Sequence, residues 1–155
     1  MQLEEYQELA SRTLVKLDEK LDLCHMVMGI FAESSELIEA IRKEDTVNIS
    51  EELADKMWFI ANYCTIRGYK LSDTYDNSQI YFIDLDDTVN EIDYYTSLLT
   101  DLVKKYIAYN KPIDRGLEQL YLTRINGSIL SIFLKLNIDF FKSLENNINK
   151  LRIRF

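Results

Sequence analysis

Apolar side chains recur every three or four positions along most of the chain, which is the spacing of one helix face. They predict helices over residues 3–17, 21–42, 51–67, 86–109, 113–136 and from 139 to the end, with a short helix starting at 72. Asn48 or Ser50 is the expected cap of the third helix, and Gly68 its stop. Residues 80–83 are β-branched and aromatic, and we expect a short connector that packs on the helices. The pattern predicts an all-α helical bundle.

The composition agrees with this fold class. Four Gly and one Pro in 155 residues leave little of the turn chemistry that hairpin-rich sheets need. The formal net charge of −8, from 18 Lys+Arg and 26 Asp+Glu, argues against nucleic acid or an anionic membrane as partner, since both favour basic surfaces. It does not exclude phosphate-bearing substrates, because carboxylates bind these through divalent cations.

The sequence also indicates where in the cell the protein is expected. No apolar run approaches the roughly 20 residues that span a bilayer, so no membrane is expected. The first residues lack the basic segment of a signal peptide. Cys24 and Cys64 fall in apolar helical patterns and are expected to be buried, reduced thiols. We therefore predict a cytoplasmic protein with one domain over residues 1–155.

Four carboxylates carry the candidate chemistry. Glu33 and Glu36 are three residues apart on one predicted helix, and Glu52 and Asp55 are three apart on the next. This spacing places each pair on one helix face, where like charges repel by a few tenths of a kcal/mol. A hard divalent cation with oxygen ligands would relieve the repulsion. Solvated acidic faces are the alternative, and the spacing alone leaves both open.

Residues 32–43 and 51–61 resemble the MazG-like nucleotide pyrophosphohydrolases, members of the all-α NTP pyrophosphatase superfamily with dimeric dUTPases and phosphoribosyl-ATP pyrophosphatase. The family pattern is E-x-x-E, a loop, then E-x-x-D and an aliphatic-Trp-aromatic triplet, which Met57-Trp58-Phe59 matches. The first and last helices are also similar, so the resemblance covers residues 1–78 and 136–155 and is weak between them.

The resemblance implies that Glu33, Glu36, Glu52 and Asp55 are both the metal ligands and the catalytic groups, with Mg²⁺, or Mn²⁺, as the ion. The expected reaction converts a nucleoside triphosphate and water into a nucleoside monophosphate and pyrophosphate. The residues expected to bind substrate are Asn147, Lys150, Arg152, Arg154, Asn62 and Lys56. For the C-terminal cations, a solvated basic helix end is the alternative. A homo-oligomer, dimer or tetramer, is also implied.

One departure from the family concerns its N-x-x-K tail. Asn77-Ser78-Gln79-Ile80 lacks the lysine, whereas Asn147-Ile148-Asn149-Lys150 carries it about 69 residues later. We interpret this as a degenerate tandem repeat, with an acidic catalytic half at 1–78 and a helical half at 79–155 that carries the basic tail. A helical insertion explains the offset nearly as well.

Two functions compete with a MazG-type enzyme. A dUTPase-like enzyme of the same superfamily predicts strong preference for dUTP, and a catalytically inactive helical scaffold predicts no turnover. Trp58 is expected in the core rather than as a base-stacking platform, and His25 on a helix surface.

Overall fold

A computed structural model of the protein describes residues 1–76 and 83–154, with Arg154 described in its backbone alone. Its helices are α1 (Leu3–Ser11), α2 (Glu19–Ala32), α3 (Ser34–Arg42), α4 (Thr46–Arg67), α5 (Leu85–Tyr109), α6 (Arg115–Lys135) and α7 (Phe140–Arg154), with one 3₁₀ turn at Leu71–Thr74. No strand occurs in the described ranges, so the all-α prediction is confirmed. None of the helices found there is long and apolar enough to cross a membrane. The predicted connector at 80–83 falls outside the described residues except for Ile83.

Aspartate side chains cap the starts of five of these helices. Each accepts a hydrogen bond from the backbone N–H three residues further on, and the five are Asp18, Asp45, Asp84, Asp114 and Asp139. Such N-caps satisfy one of the backbone donors that a helix start leaves unpaired. The third helix was predicted to start at Glu51, with Asn48 or Ser50 as its cap, and this is wrong. Helix α4 starts at Thr46, five residues before Glu51, and Asp45 caps it. Gly68 ends α4 in the left-handed conformation, with φ of 77°, as expected.

The predicted single helix over residues 21–42 is also wrong, because the chain breaks into α2 and α3 at Glu33. In a continuous helix the Ile30 carbonyl would accept from the Ser34 N–H. Here that carbonyl accepts a hydrogen bond from Nζ of Lys56 at 2.5 Å. A side chain that enters the backbone ladder in this way is a recognised cause of helix kinks.

Two shorter elements differ from their predictions. The first helix ends at Ser11 rather than near Leu17, because the chain turns at Thr13. The Thr13 hydroxyl donates to the Ala10 carbonyl at 2.9 Å and accepts from Nε1 of Trp58 at 2.8 Å. The helix predicted from Ser72 is the 3₁₀ turn.

Helix α4 lies at the centre of the bundle, and α1, α2, α3 and α7 all pack on it. Its side chains are buried on most sides, as the apolar pattern predicts. Gly29 allows α2 to approach closely, since a Cβ there would overlap the Phe59 ring. Helix α5 packs against α2 and α6, so the second half of the chain covers the first.

A buried carboxylate joins α4 to α6. Glu118 has no exposed surface and accepts hydrogen bonds from the hydroxyls of Tyr63 and Tyr69 and from Arg67. The Arg67 Nε to Glu118 Oε2 distance is 2.7 Å. These donors satisfy the carboxylate oxygens, which is the condition for burying the charge. The sequence pattern did not indicate this network.

Candidate active site

Three of the four predicted carboxylates converge where α3 faces α4. Glu33 sits at the break between α2 and α3, Glu36 in the first turn of α3, and Glu52 in α4. One carboxylate oxygen from each lies within 4.8 Å of the other two. Glu33 and Glu52 are half-buried, whereas Glu36 is exposed. The fold therefore brings together residues that are up to 19 positions apart in the chain.

The electrostatics of this cluster favour a cation. Burial, together with the charges of Glu33 and Glu36, raises the pKa of Glu52 from 4.5 to about 9. Burial also raises the pKa of Glu33. Oε2 of Glu52 is buried and has no hydrogen-bond partner among the described residues. Converging carboxylate oxygens, one of them unsatisfied, match the oxygen-rich donor set that Mg²⁺ or Mn²⁺ prefers.

Asp55, the fourth carboxylate, lies beside this cluster and is held by α7. Its Oδ1 accepts hydrogen bonds from Nδ2 of Asn147 and Nζ of Lys150, both at 2.9 Å. The Asn147 Oδ1 in turn accepts from the hydroxyl of Tyr6 at 2.9 Å. Asn147 and Tyr6 are buried, so they fix the orientation of Asp55 from inside the protein.

A cavity of about 360 Å³ opens next to the carboxylates. Glu33, Asp55 and Lys150 contribute the charged groups of its lining. The other lining residues are mostly apolar or aromatic: Thr13, Leu14, Val15, His25, Trp58, Phe59 and Leu151. The His25 ring meets the rings of Trp58 and Phe59 edge to face, at centroid distances of 6.5 and 5.8 Å. This volume falls within the range of small-molecule sites.

The remaining predicted substrate-binding residues occupy different surroundings. Asn62 is buried and donates to the backbone carbonyls of Ala10 and Trp58, so the structure does not bring it to the cavity. Arg152 is exposed and lines a separate depression with Glu5 and Glu145. Of the C-terminal cations, Lys150 alone among the described side chains lines the carboxylate cavity. The Arg154 side chain lies outside the described part of the chain.

Lys56 is placed close to the carboxylates but has no exposed surface. Its ammonium donates to the Ile30 carbonyl and to Oγ of Ser34. Burial lowers its pKa to about 8, and the charges of Asp93, Glu33 and Glu52 oppose that shift. Lys56 is therefore a fixed internal counter-charge rather than a cation that faces the cavity.

Sequence reasoning missed four residues that support the site. Tyr6 and Thr13 lie in the N-terminal segment, Ser34 lies inside the E-x-x-E motif, and Asp93 comes from α5. For Thr13 an indirect signal existed in Trp58, because an indole surrounded by apolar residues still needs an acceptor for its N–H, and Thr13 is that acceptor. Nothing in the sequence pattern indicated Asp93, since its partner Ser34 is 59 positions away.

The described residues thus form an all-α bundle in which a cluster of three carboxylates lies next to a cavity. Residues 23–79 match the MazG nucleotide pyrophosphohydrolase domain. The resemblance is confirmed over this segment, which contains all four carboxylates. No match was found among curated proteins or among solved structures.

Proposed function

We propose that this protein is a Mg²⁺-dependent nucleoside triphosphate pyrophosphohydrolase. The observation that carries the proposal is the shared cavity, which is lined both by the carboxylates Glu33 and Asp55 and by aromatic rings. A nucleotide has the matching polarity, with a charged phosphate chain at one end and a flat, polarisable base at the other. The MazG match over residues 23–79 supports the same reaction class.

Glu33, Glu36 and Glu52 would hold the ion, with Asp55 as a further oxygen donor. When bound, the ion would neutralise charge on the phosphates and lower the pKa of a coordinated water. Lys150 adds a positive charge to the lining of the same cavity. Asn147 and Tyr6 keep Asp55 in one orientation, which preserves the geometry that catalysis requires.

The reaction forms a bond between the water oxygen and the α-phosphorus and breaks the bond from that phosphorus to the bridging oxygen. The bond's electron pair leaves with pyrophosphate, and the water proton passes to a carboxylate. Glu33 and Asp55 are the two carboxylates of the motif that line the cavity. We propose that one of these two accepts the proton, because a base must lie within hydrogen-bond reach of the water.

Pyrophosphate release should be measured over all NTPs and dNTPs, with and without Mg²⁺, and the nucleotide product identified. A monophosphate product supports the proposal, whereas a diphosphate product or no turnover with any nucleotide contradicts it. Activity confined to dUTP would identify the dUTPase-like alternative. The variants Glu36→Gln and Asp55→Asn test the site, and full activity in both would contradict the residue assignment.

The cavity wall can be tested separately. Trp58→Leu should raise KM for the nucleotide while Mg²⁺ binding stays unchanged, because the indole faces the cavity and is not among the carboxylates. Inorganic triphosphate, which has no base, gives the matched comparison. A variant that weakens nucleotide and triphosphate equally would contradict contact between the base and this wall.

We also propose a homo-oligomer, dimer or tetramer. Val15, Leu17, Leu21 and Met28 are each more than half exposed in the single chain, at 76%, 58%, 55% and 61%. These four side chains fall within one stretch of 14 residues, and large exposed apolar patches often mark a protein–protein interface. Light scattering with size-exclusion chromatography measures the mass directly, and a monomer at working concentration would contradict the proposal.

A further inference from the structure

Asp93 connects the second half of the chain to the carboxylate cluster. It lies on α5, outside the segment that matches the MazG domain. Its Oδ1 accepts a hydrogen bond from Oγ of Ser34 at 2.7 Å. Ser34 is the residue directly after Glu33 and the first residue of α3. Asp93 therefore contacts the chain at the helix break itself.

The same hydroxyl also receives the buried cation. Oγ of Ser34 accepts from Nζ of Lys56 at 2.9 Å, and Nζ donates to the Ile30 carbonyl as well. Ser34 can donate and accept at once, so the three side chains form a continuous path from Asp93 to the broken backbone ladder. A buried ammonium is costly unless charges and acceptors surround it, and Asp93 is one of the charges that act on Lys56.

We propose that Asp93 is a positioning residue of the divalent-cation site. Through Ser34 it holds Lys56 on the Ile30 carbonyl, and so maintains the break at which Glu33 turns toward Glu52. This inference rests on the metal site of the proposed function. It requires no contact between Asp93 and the ion or the nucleotide.

Loss of Asp93 should weaken metal binding for two reasons that act in the same direction. The Ser34 hydroxyl loses its acceptor, so the break that orients Glu33 is less well held. The ammonium of Lys56 also loses one of the charges that act on it, so its position at the Ile30 carbonyl is less well held. Supporting partners behind metal ligands typically contribute 10–100-fold to metal affinity.

The test uses the full chain without nucleotide. Mn²⁺ binding is followed by the electron paramagnetic resonance signal of the free ion, so the readout does not depend on activity. We expect Asp93→Ala to bind Mn²⁺ about tenfold more weakly than wild type. Asp93→Asn keeps an acceptor for Ser34 but removes the charge, and its affinity should lie between those of wild type and Asp93→Ala.

Glu91→Ala is the matched control. Glu91 lies on the same helix and also accepts from a serine hydroxyl, but that serine is Ser128 on α6, at 3.2 Å. Its Mn²⁺ affinity should equal that of wild type. Ser34→Ala should weaken Mn²⁺ binding by no more than Asp93→Ala does, because it breaks the same path but keeps the Asp93 charge. The double variant should lose no more affinity than Asp93→Ala alone, because both substitutions interrupt one path.

Unchanged Mn²⁺ affinity in Asp93→Ala and Ser34→Ala, with only a lower melting temperature, would show a merely structural role and overturn the proposal. Additive losses in the double variant would overturn it as well. If Asp93→Ala does not fold, Asp93→Asn and Ser34→Ala decide the question. A wild-type protein that binds Mn²⁺ but hydrolyses no nucleotide would remove the proposed function and leave this inference standing. Absence of Mn²⁺ binding by wild type would remove both.

Discussion

Helices α4 and α6 begin and end in the same way but carry different side chains. They begin at Thr46 and Arg115, each after a capping aspartate, and each is followed by a left-handed residue. That residue is Gly68, with φ of 77°, after α4 and Asn137, with φ of 54°, after α6. These matching boundaries support our proposal that the second half is a degenerate repeat of the first, with the same offset as the two tails.

The difference between the two halves lies in a few side chains. At this offset Glu52 corresponds to Tyr121, and Lys56 corresponds to Ile125. Helix α5, which corresponds to α2 and α3 in the proposed repeat, runs without a break from Leu85 to Tyr109. A buried lysine is thus found where the preceding helix is broken, and an isoleucine where it is continuous. This difference supports our proposal that the break serves the carboxylate site.

The greatest loss of activity is expected at Glu52, which corresponds to a tyrosine in the second half. Glu52→Gln should lower pyrophosphate release at least about 100-fold and abolish stabilisation by Mg²⁺, because it removes a ligand rather than a supporting partner. Without metal the variant should melt no lower than wild type at neutral pH, since the raised pKa of Glu52 means that wild type takes up a proton on folding, whereas glutamine does not. Glu51→Gln, an exposed neighbour on α4, is the control and should behave as wild type. Retained activity in Glu52→Gln would contradict the site.

The second half has its own buried acid, and its role is expected to be structural. Glu118→Gln should lower the free energy of unfolding by about 3 kcal/mol, because it leaves Arg67 without its partner. Mn²⁺ affinity should not change. Urea titration measures the loss. Glu145→Gln is the control, because its pair with Lys142 is exposed and spans 3.8 Å, so its contribution should be below about 1 kcal/mol. A Glu118→Gln variant that weakens Mn²⁺ binding would contradict the division of roles between the halves.

The variant Lys56→Ile places in the first half the isoleucine that the second half has at the corresponding position, Ile125. The Ile30 carbonyl would again be available to the Ser34 N–H, so α2 and α3 should join into one helix as in α5. Backbone chemical shifts at residues 30–36 report this directly. We expect Mn²⁺ affinity to fall about tenfold as Glu33 is reoriented. Lys43→Ile, on the exposed end of the same region, should change neither measurement.

The smallest expected effect is the pH dependence of the metal-free protein. The pKa of Glu52 is raised in the folded state, so between 4.5 and about 9 the folded protein binds more protons than the unfolded chain. The free energy of unfolding should therefore fall as the pH rises from 5 to 8. The decline should be steeper in wild type than in Glu52→Gln, and saturating Mg²⁺ should remove the difference. Equal slopes in the metal-free proteins would contradict the raised pKa.

The sequence predicted most of the helices, because their apolar periodicity and their caps are local properties. Residues 86–109 and 113–136 were predicted within two residues of α5 and α6. The break at Glu33 was not predictable from local pattern, since its cause is a lysine 26 positions from the carbonyl that it contacts. The start of α4 is a local feature, because Asp45 caps the helix from the adjacent position, so the sequence contained the signal for it. The separation of α3 from α2 had no such local signal.

The sequence by itself determined the fold class and the four acidic residues, since helical periodicity and motif spacing are set by neighbouring positions. Only the tertiary structure decided how these acids divide: Glu33, Glu36 and Glu52 converge, whereas Asp55 is bound by Asn147 and Lys150. It also decided that Lys56 is buried, that Arg152 faces another depression, and that Asp93 reaches the helix break. These facts depend on contacts between distant parts of the chain, which packing determines and local pattern does not.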